Sequence, residues 1–195
     1  MPFKFESYLI SHTGISGDNV KELTSSLVEK NISKGTFIFR EGEICQHAFF
    51  VEKGLLRVYT IDENGKEHII QFSPENWFFS DRSSLYFNEP SMYFVEAIED
   101  SLVVFLPKNF FEFNTPDVLA RFNDRLLNNH IRHMQKRITM LLGASAEQRY
   151  LDFVHMYPDL MLRVPQWMIA SYLGITPEGL SRVRKALARQ HGFNN

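Results

Sequence analysis

A glycine at position 174, set between two apolar segments of helical spacing, is the feature that most constrains the fold of this chain. The apolar positions are Ile169, Ala170 and Leu173 before it and Leu180, Val183 and Leu187 after it. Glycine tolerates the left-handed backbone that commonly ends a helix. Thr176 can then cap a second helix, and Pro177 suits its first turn because no amide donor is needed there. The stretch Val164–Lys185 is therefore predicted to form a helix-turn-helix.

The outward face of the predicted second helix carries side chains that suit DNA. The candidate contacts are Thr176, Pro177, Glu178, Ser181, Arg182, Arg184 and Lys185. Arg182 can donate two parallel hydrogen bonds to the O6 and N7 edge of guanine, and Glu178 can accept one from a cytosine amine. Their i, i+4 spacing also predicts that the two side chains brace each other. Arg184 and Lys185 are assigned to phosphates. The alternative is an ordinary helical hairpin with a surface ion pair.

Charge is divided unevenly along the chain. Residues 1–116 carry 10 Lys and Arg against 17 Asp and Glu, whereas residues 117–195 carry 11 against 6. The excess of basic residues in the rear segment is typical of a surface that faces a polyanion. The charge pattern therefore agrees with double-stranded DNA as the partner of the predicted helix-turn-helix.

The supply of reactive side chains argues against several other classes of protein. Cys45 is the only cysteine, which excludes an internal disulfide and a multi-cysteine zinc or iron–sulfur site. The seven histidines are scattered and include no close His-x-His pair, so no metal site is expected. No nucleophile–base arrangement is visible, so we expect no catalytic residue, no cofactor and no enzyme activity. No apolar run resembles a signal peptide or a membrane span, which predicts a cytoplasmic protein that does not bind membranes.

The first half of the chain has the pattern of a β barrel. Residues 1–30 are predicted to be helical and to pack on its outside. Residues 31–106 alternate short apolar runs with turn signals, and seven or eight short strands at this spacing predict a sandwich or jelly roll. Asp62 to Gly65 is predicted to be a tight hairpin turn. The 18 Phe would largely fill the barrel. Residues 107–114 are predicted to form a short helix that leaves it.

A long helix is predicted from about Pro116 to Leu142. From Leu127 onward its apolar residues follow the alternating spacing of four and three that is typical of a two-stranded coiled coil. The predicted dimer interface consists of Leu127, Ile131, Met134, Ile138 and Leu141. The alternative is a helix packed on its own barrel, but a helix of this length extends beyond a small barrel, which favours self-association. Residues 143–146 are predicted to break the helix and act as a hinge.

This order of barrel, long helix and helix-turn-helix resembles the cyclic-AMP receptor protein / FNR superfamily of bacterial transcription regulators. The matching segments are KGTFIFREGE, FFVEKGLLRVY, VEAIEDS and ASYLGITPEGLSRVRK. The resemblance implies an α+β fold with an N-terminal cyclic-nucleotide-binding-like β jelly roll, a long dimerisation helix and a C-terminal winged helix-turn-helix. The corresponding domains are 1–115, 116–142 and 143–195. The resemblance further implies a homodimer on a two-fold symmetric DNA site, contact with RNA polymerase, and base reading by Glu178 and Arg182.

The barrel departs from the family's cyclic-nucleotide members. They bind the nucleotide through a Gly-Glu pair and an Arg-Ser or Arg-Thr pair, and those places hold Ser80-Asp81 and Ser91-Met92 here. The charge-assisted contact that arginine makes with a phosphate is not replaced by serine or methionine. Arg82 is a nearby substitute cation, and Cys45 is interpreted as a half-buried loop cysteine. The candidate effector pocket consists of Phe79, Ser80, Asp81, Arg82, Ser91 and Met92.

Two functions from different classes remain. The first is a dimeric DNA-binding transcription regulator of the cyclic-AMP receptor/FNR type that does not respond to cyclic AMP, with an unknown small-molecule effector or none. The second is a small-molecule-binding barrel, cyclic nucleotide or cupin-like, whose C-terminal head mediates protein contacts. The charge division and the polar helix face favour the first.

Overall fold

The computed structural model describes residues 4–111 and 117–192 of the chain. These residues divide into two compact units. The first unit contains the described residues within 1–60 and 70–128, and the second contains residues 61–69 and the described residues from 129 onward. Helix α4 contributes to both, so the domain boundaries at 115 and 142 stay predictions. No helix in the described ranges is long and apolar enough to cross a membrane.

The predicted jelly roll is present as two four-stranded sheets. One contains, in spatial order, β1 (Val28–Ile32), β8 (Ser101–Pro107), β3 (His47–Lys53) and β6 (Phe78–Phe79). The other contains β2 (Phe37–Phe39), β7 (Phe94–Ala97), β4 (Leu56–Ile61) and β5 (Glu67–Ser73). The predicted hairpin turn is confirmed, because the Gly65 N–H donates to the Asp62 carbonyl at 2.9 Å. Strand β5 is one of the two edge strands of the second sheet, because it is last in the strand order.

Aromatic rings fill part of the space between the sheets, as the phenylalanine content predicts. The rings of Phe39, Phe49 and Phe79 stack with centroids 6.1–6.3 Å apart. Phe105 meets Phe49 edge-on at 5.1 Å. Each such side chain that is fully buried contributes roughly 1.5–3 kcal/mol to the free energy of folding. This cluster therefore supplies much of the barrel's stability and occupies interior space at the same time.

Two N-terminal helices pack on the outside of the barrel, as predicted. They are α1 (Lys4–Thr13) and α2 (Gly17–Thr24). The N–H of Phe5 in the first turn of α1 donates to Glu52 of β3 at 2.8 Å, which fixes the start of that helix. Leu119 and Phe122 of α4 join the same buried cluster.

Two predictions of helical structure are wrong. Residues 28–30 were expected to continue the N-terminal helices, but they form the first residues of β1, because Val28 pairs with Phe105 in an antiparallel ladder. Residues 108–111 form a turn instead of the short helix predicted over 107–114, with the Phe110 N–H bonded to the Pro107 carbonyl at 2.9 Å. Residues 112–114 of that prediction lie outside the described residues. A short helix, α3 (Arg82–Phe87), occurs earlier, between β6 and β7.

Apart from residues 61–69, the described part of the second unit is built from helices. Long helix α4 (Asp117–Gly143) ends where the break was predicted, and α5 (Ala146–Met156) begins after Ser145, whose side chain accepts from the Gln148 N–H at 3.2 Å. Helices α6 (Leu160–Arg163), α7 (Gln166–Leu173) and α8 (Pro177–Gly192) follow. We call α5 to α8 the head. Its described part contains helices and turns but no strand, so the wing of the predicted fold class is not seen among these residues.

The core of the head is an aromatic group on α5 and α7. Phe153 lies 5.3 Å from Tyr157 and 5.4 Å from Tyr172, measured between ring centroids. Burial, together with neighbouring Tyr172, raises the pKa of Tyr157 well above its ordinary value. This phenol therefore stays protonated and packs α5 against the first helix of the helix-turn-helix.

Candidate nucleic-acid interface

The turn between α7 and α8 requires glycine. Gly174 adopts φ 66° and ψ 35°, and its N–H is bonded to the Ala170 and Ser171 carbonyls. A side chain here would be strained by the left-handed backbone. Its Cβ would also lie 3.2 Å from Leu141 Cδ2 and 3.3 Å from Arg149 Nη1. Backbone conformation and lack of space therefore explain the residue on which the sequence prediction depended.

Helix α8 begins as its sequence predicts. The Thr176 hydroxyl accepts from the Gly179 N–H at 3.0 Å, and the Thr176 carbonyl accepts from the Leu180 N–H at 2.9 Å. Pro177 is the first helical residue. Leu180 and Leu187 are buried, 1% and 7% exposed, which fixes the inward face of the helix. The opposite face is therefore available to a partner.

All seven predicted DNA contacts are exposed on this helix and its cap: Thr176, Pro177, Glu178, Ser181, Arg182, Arg184 and Lys185. The predicted ion pair between Glu178 and Arg182 is not formed. Within the described part of the chain, neither side chain makes a hydrogen bond or ion pair. Both groups therefore keep their full hydrogen-bonding capacity for a partner, and the guanidinium of Arg182 offers an unoccupied planar fork.

A groove lies between the first turns of α7 and α8. Its volume is about 380 Å³, and its lining consists of Gln166, Pro177, Ser181, Arg184 and Lys185. Arg184 Nη1 donates to Gln166 Oε1 at 2.7 Å, so this arginine also links the two helices. Two cations beside a helix start make the groove suitable for an anion such as a phosphate. The sequence reasoning missed Gln166, although its place in the first turn of α7 was a usable signal.

Arg149 of α5 holds the surrounding helix ends together, which the sequence also did not reveal. Its guanidinium donates to the carbonyls of Leu141 (2.9 Å), Ala144 (3.0 Å) and Leu173 (3.0 Å). These carbonyls lie at the ends of α4 and α7, where backbone acceptors lack helical partners and positive charge is favourable. The predicted hinge is thus braced by one cation that spans the break between α4 and α5.

The residues predicted for an effector pocket have different surroundings in the structure. Phe79 belongs to the stacked aromatic core, and Met92 is 62% exposed. The guanidinium of Arg82 lies over the Tyr86 ring at 4.6 Å. Asp81 and Ser91 are joined by a hydrogen bond, and both are buried. Ser80, which precedes Asp81, is half-buried.

Asp81 and Ser91, which belong to the two pairs predicted to stand at the phosphate place, are bonded to each other. The Ser91 hydroxyl donates to Asp81 Oδ2 at 2.7 Å, and the Ser84 N–H donates to Asp81 Oδ1 at 3.2 Å. A buried carboxylate therefore already caps α3 and takes the donors that an anionic ligand would use. Burial, followed by the nearby Asp81 charge, raises the pKa of Tyr93.

Cys45 is buried, not half-buried as the sequence was interpreted, because its side chain packs in the core of the barrel. Burial is the largest cause of its raised pKa. Its thiol contacts the His47 carbonyl at 3.2 Å. A thiol with a raised pKa is a poor nucleophile and a poor metal ligand. Within the described ranges, no group of three or more His, Cys, Asp and Glu side chains could hold a metal ion.

The apolar stripe of α4 is buried at the start of the helix and more exposed toward its end. Leu119 and Phe122 are buried, whereas Ile131 and Ile138 are 45% and 57% exposed. The complete predicted seam is Leu127, Ile131, Met134, Ile138 and Leu141, each of them exposed or half-buried. The part of the helix that packs on its own barrel is therefore the start, and the coiled-coil pattern lies on a surface left open in the single chain.

Comparison with known proteins supports the architecture. Residues 29–113 match the Cyclic nucleotide-binding domain family. The "Anaerobic regulatory protein" of Pasteurella multocida is 26% identical over 168 residues, which cover 80% of this chain and 61% of that protein. The "Fumarate and nitrate reduction regulatory protein" of Vibrio cholerae is 26% identical over 168 residues, which cover 80% of this chain and 66% of that protein. The chain thus matches about two thirds or less of the length of these relatives.

A solved structure extends the match to the fold of both units. FixK2 from Bradyrhizobium japonicum has a TM-score of 0.73 and 22% sequence identity, covering 85% of this chain and 86% of that chain. With the barrel match and the regulatory relatives, this likeness confirms the predicted α+β fold class, except for the wing, and the resemblance to the cyclic-AMP receptor protein / FNR superfamily.

Proposed function

Because the chain resembles the cyclic-AMP receptor protein / FNR superfamily from barrel to head, we propose that it is a dimeric, DNA-binding transcription regulator of this type. The observation that carries the proposal is the exposed face of α8, on which the Glu178 and Arg182 head groups make no hydrogen bond or ion pair within the described residues. A capped helix with an unoccupied guanidinium fork on its first two turns suits the major groove. The regulatory relatives favour this function over a barrel whose head binds proteins.

The contacts divide into two kinds. Arg182 donates to a guanine edge, Glu178 accepts from a cytosine amine, and Ser181 lies beside them on the same face. Lys185 and Arg184, at the groove with Gln166, bind phosphates and fix the position of the helix on the duplex. Thr176 and Pro177 place the start of the helix close to the backbone of the DNA.

A second copy of the chain covers the open stripe of α4. Burying Ile131, Ile138 and their neighbours against a symmetry mate removes large apolar side chains from water. The stripe has the spacing of a two-stranded seam, and a two-fold dimer presents two copies of α8 to a two-fold DNA site. Contact with RNA polymerase and a cytoplasmic location complete the proposal and rest on the resemblance.

The barrel does not take cyclic AMP or cyclic GMP. The buried Asp81 carboxylate is already bonded to Ser91, so a cyclic phosphate would meet a like charge, and Ser91 stands where the cyclic-nucleotide members carry arginine. An uncompensated buried ion costs several kcal/mol, and a loss of even ~3 kcal/mol makes a micromolar site about 100-fold weaker. Calorimetric titration with either nucleotide should give no binding heat at micromolar concentrations. Micromolar binding of either nucleotide would contradict this prediction. Loss of that binding in Arg82→Ala would then identify Arg82 as the cation that pairs with the phosphate.

The function is tested by selecting duplexes from a random pool with the full-length protein. We expect enrichment of a two-fold site with half-site centres about 10 bp apart, because a dimer presents both α8 helices to one side of the duplex. Binding should weaken steeply as salt rises, since phosphate contacts release counterions. A pool that shows no enrichment at low salt would contradict the proposal.

A further inference from the structure

Strand β5 presents an open edge at the tip of the β4–β5 hairpin. It is the last strand of its sheet, so alternate residues direct backbone groups away from β4. Glu67 and Ile69, two residues apart, are such positions. Backbone N–H and C=O groups without partners at a sheet edge can pair with another chain, so proteins usually cover them. The tip, residues 61–69, belongs to the same compact unit as the head and the second half of α4.

Ser171 of α7 covers this edge as a neighbouring strand would. Its hydroxyl accepts from the Ile69 N–H at 3.0 Å and donates to the Glu67 carbonyl at 3.0 Å. One side chain therefore satisfies one donor and one acceptor on the same edge. The serine is 102 residues away from Ile69 in sequence, so this pairing is a tertiary contact and not a local turn.

Arg137 of α4 completes the contact from the other side. Its Nη2 donates to the Ile69 carbonyl at 2.9 Å. Its guanidinium carbon also lies 3.7 Å from the centre of the Tyr172 ring, the residue after Ser171. Both backbone groups of Ile69 are thus held by side chains, one from the long helix and one from the helix-turn-helix.

We infer that Ser171 and Arg137 form a clasp on the hairpin edge that positions the helix-turn-helix on the long helix. We call these two residues the clasp. Helix α4 carries the dimer seam and α7 leads through Gly174 into α8, so the angle between α4 and α7 sets the separation of the two α8 helices in a dimer. The inference rests on the proposed function, because that separation matters only to a dimer on two half-sites.

The clasp can open without unfolding the sheet. Its three hydrogen bonds come from side chains, and β5 keeps its ladder with β4 when they break. A positioning contact of this kind has a small effect on stability and a large effect on geometry. The fixed angle should therefore restrict the dimer to one half-site separation, whereas an opened clasp should let it bind several.

The first test measures the clasp itself by amide hydrogen exchange in the full-length protein. Ser171→Ala should lower the protection of the Ile69 amide about tenfold, because that amide loses its acceptor. Ser171→Thr, which keeps the hydroxyl, should restore protection. Arg132→Met is the matched control for Arg137→Met, since Arg132 lies on the same helix and, among the described residues, donates only to Asn129. Unchanged protection at Ile69 in Ser171→Ala would overturn the clasp.

The second test measures positioning with the duplex that the wild-type protein selects. Its half-sites are moved together or apart by one and two base pairs, and the Kd is measured for each duplex. The wild type should show a sharp optimum at one spacing. In Ser171→Ala and Arg137→Met, the ratio of the Kd at other spacings to the Kd at the optimum should fall about tenfold. Arg132→Met and Ser171→Thr should keep the wild-type ratio. A clasp variant with the wild-type profile would overturn the inference, whereas failure of the wild type to select any duplex would instead refute the proposed function.

Discussion

Replacing Arg149 by methionine should destabilise the second unit without affecting the barrel. The guanidinium makes three hydrogen bonds of 2.9–3.0 Å to carbonyls at the ends of α4 and α7. A hydrogen bond to a charged group contributes about 1.5–3 kcal/mol when it is shielded from water. One of the three bonds is exposed and contributes less. Methionine keeps most of the side-chain volume and removes all three, so we expect a loss of about 3 kcal/mol in the free energy of unfolding.

The positions of the two tryptophans allow this loss to be assigned to one unit. Trp77 lies in the first unit and Trp167 in the second, and the chain contains no other tryptophan. Urea unfolding is followed by fluorescence in a Trp77→Phe background, where Trp167 is the single reporter. With a slope of about 1.5 kcal/mol per molar urea, the midpoint of Arg149→Met should fall by about 2 M.

Two controls make the result interpretable. The Trp167→Phe background reports the barrel through Trp77, and its midpoint should not move. Arg132→Met makes the same chemical change on an exposed arginine whose one bond within the described ranges is to Asn129, and it should cost less than about 0.5 kcal/mol. A shift below about 0.5 kcal/mol for Arg149→Met, or equal shifts of both reporters, would refute the reasoning.

Two further predictions concern α4. Ile131→Asp places a charge in the proposed seam, so monomers should appear in sedimentation and binding to a two-fold duplex should collapse; a variant that stays dimeric would place the interface elsewhere. Burial, followed by the charges of His130, Arg137 and Lys136, lowers the pKa of His133 to about 4. Because this is below the unfolded value of about 6.5, the unfolded state binds the extra proton first, and stability should fall as pH drops from about 6.5 to 4. His133→Leu should remove part of that slope in melting temperatures measured against pH, and an unchanged slope would refute the assignment.

Features that depend on neighbouring residues could be predicted from the sequence. The helix-turn-helix follows from Gly174, Thr176 and Pro177, whose backbone preferences act within a few residues. The hairpin at Asp62–Gly65 follows from turn chemistry in the same way. The open stripe on α4 follows from periodicity, which locates one face of a helix without any knowledge of its partner.

Features that depend on distant residues could not be predicted. Residues 28–30 looked helical in isolation, but pairing with β8 overrides that local preference. The bond between Ser91 and Asp81, at the expected phosphate place, joins two residues outside helices and strands and has no sequence signature. The edge contact of Ser171 with Ile69 likewise depends on tertiary structure. The predicted pair of Glu178 and Arg182 had the correct spacing, yet exposed ion pairs are too weak to fix both side chains.

The central claim is that Arg182 reads a base, and the most direct measurement compares Arg182→Ala with the wild type on two duplexes. One is the duplex selected by the wild-type protein and the other is a random duplex of the same length, at the same salt concentration. Arg182→Ala should cost ~1–3 kcal/mol on the selected duplex and leave binding to the random duplex nearly unchanged. Lys185→Ala is the control that should weaken both duplexes alike. Equal loss on the two duplexes by Arg182→Ala would contradict base reading by this side chain.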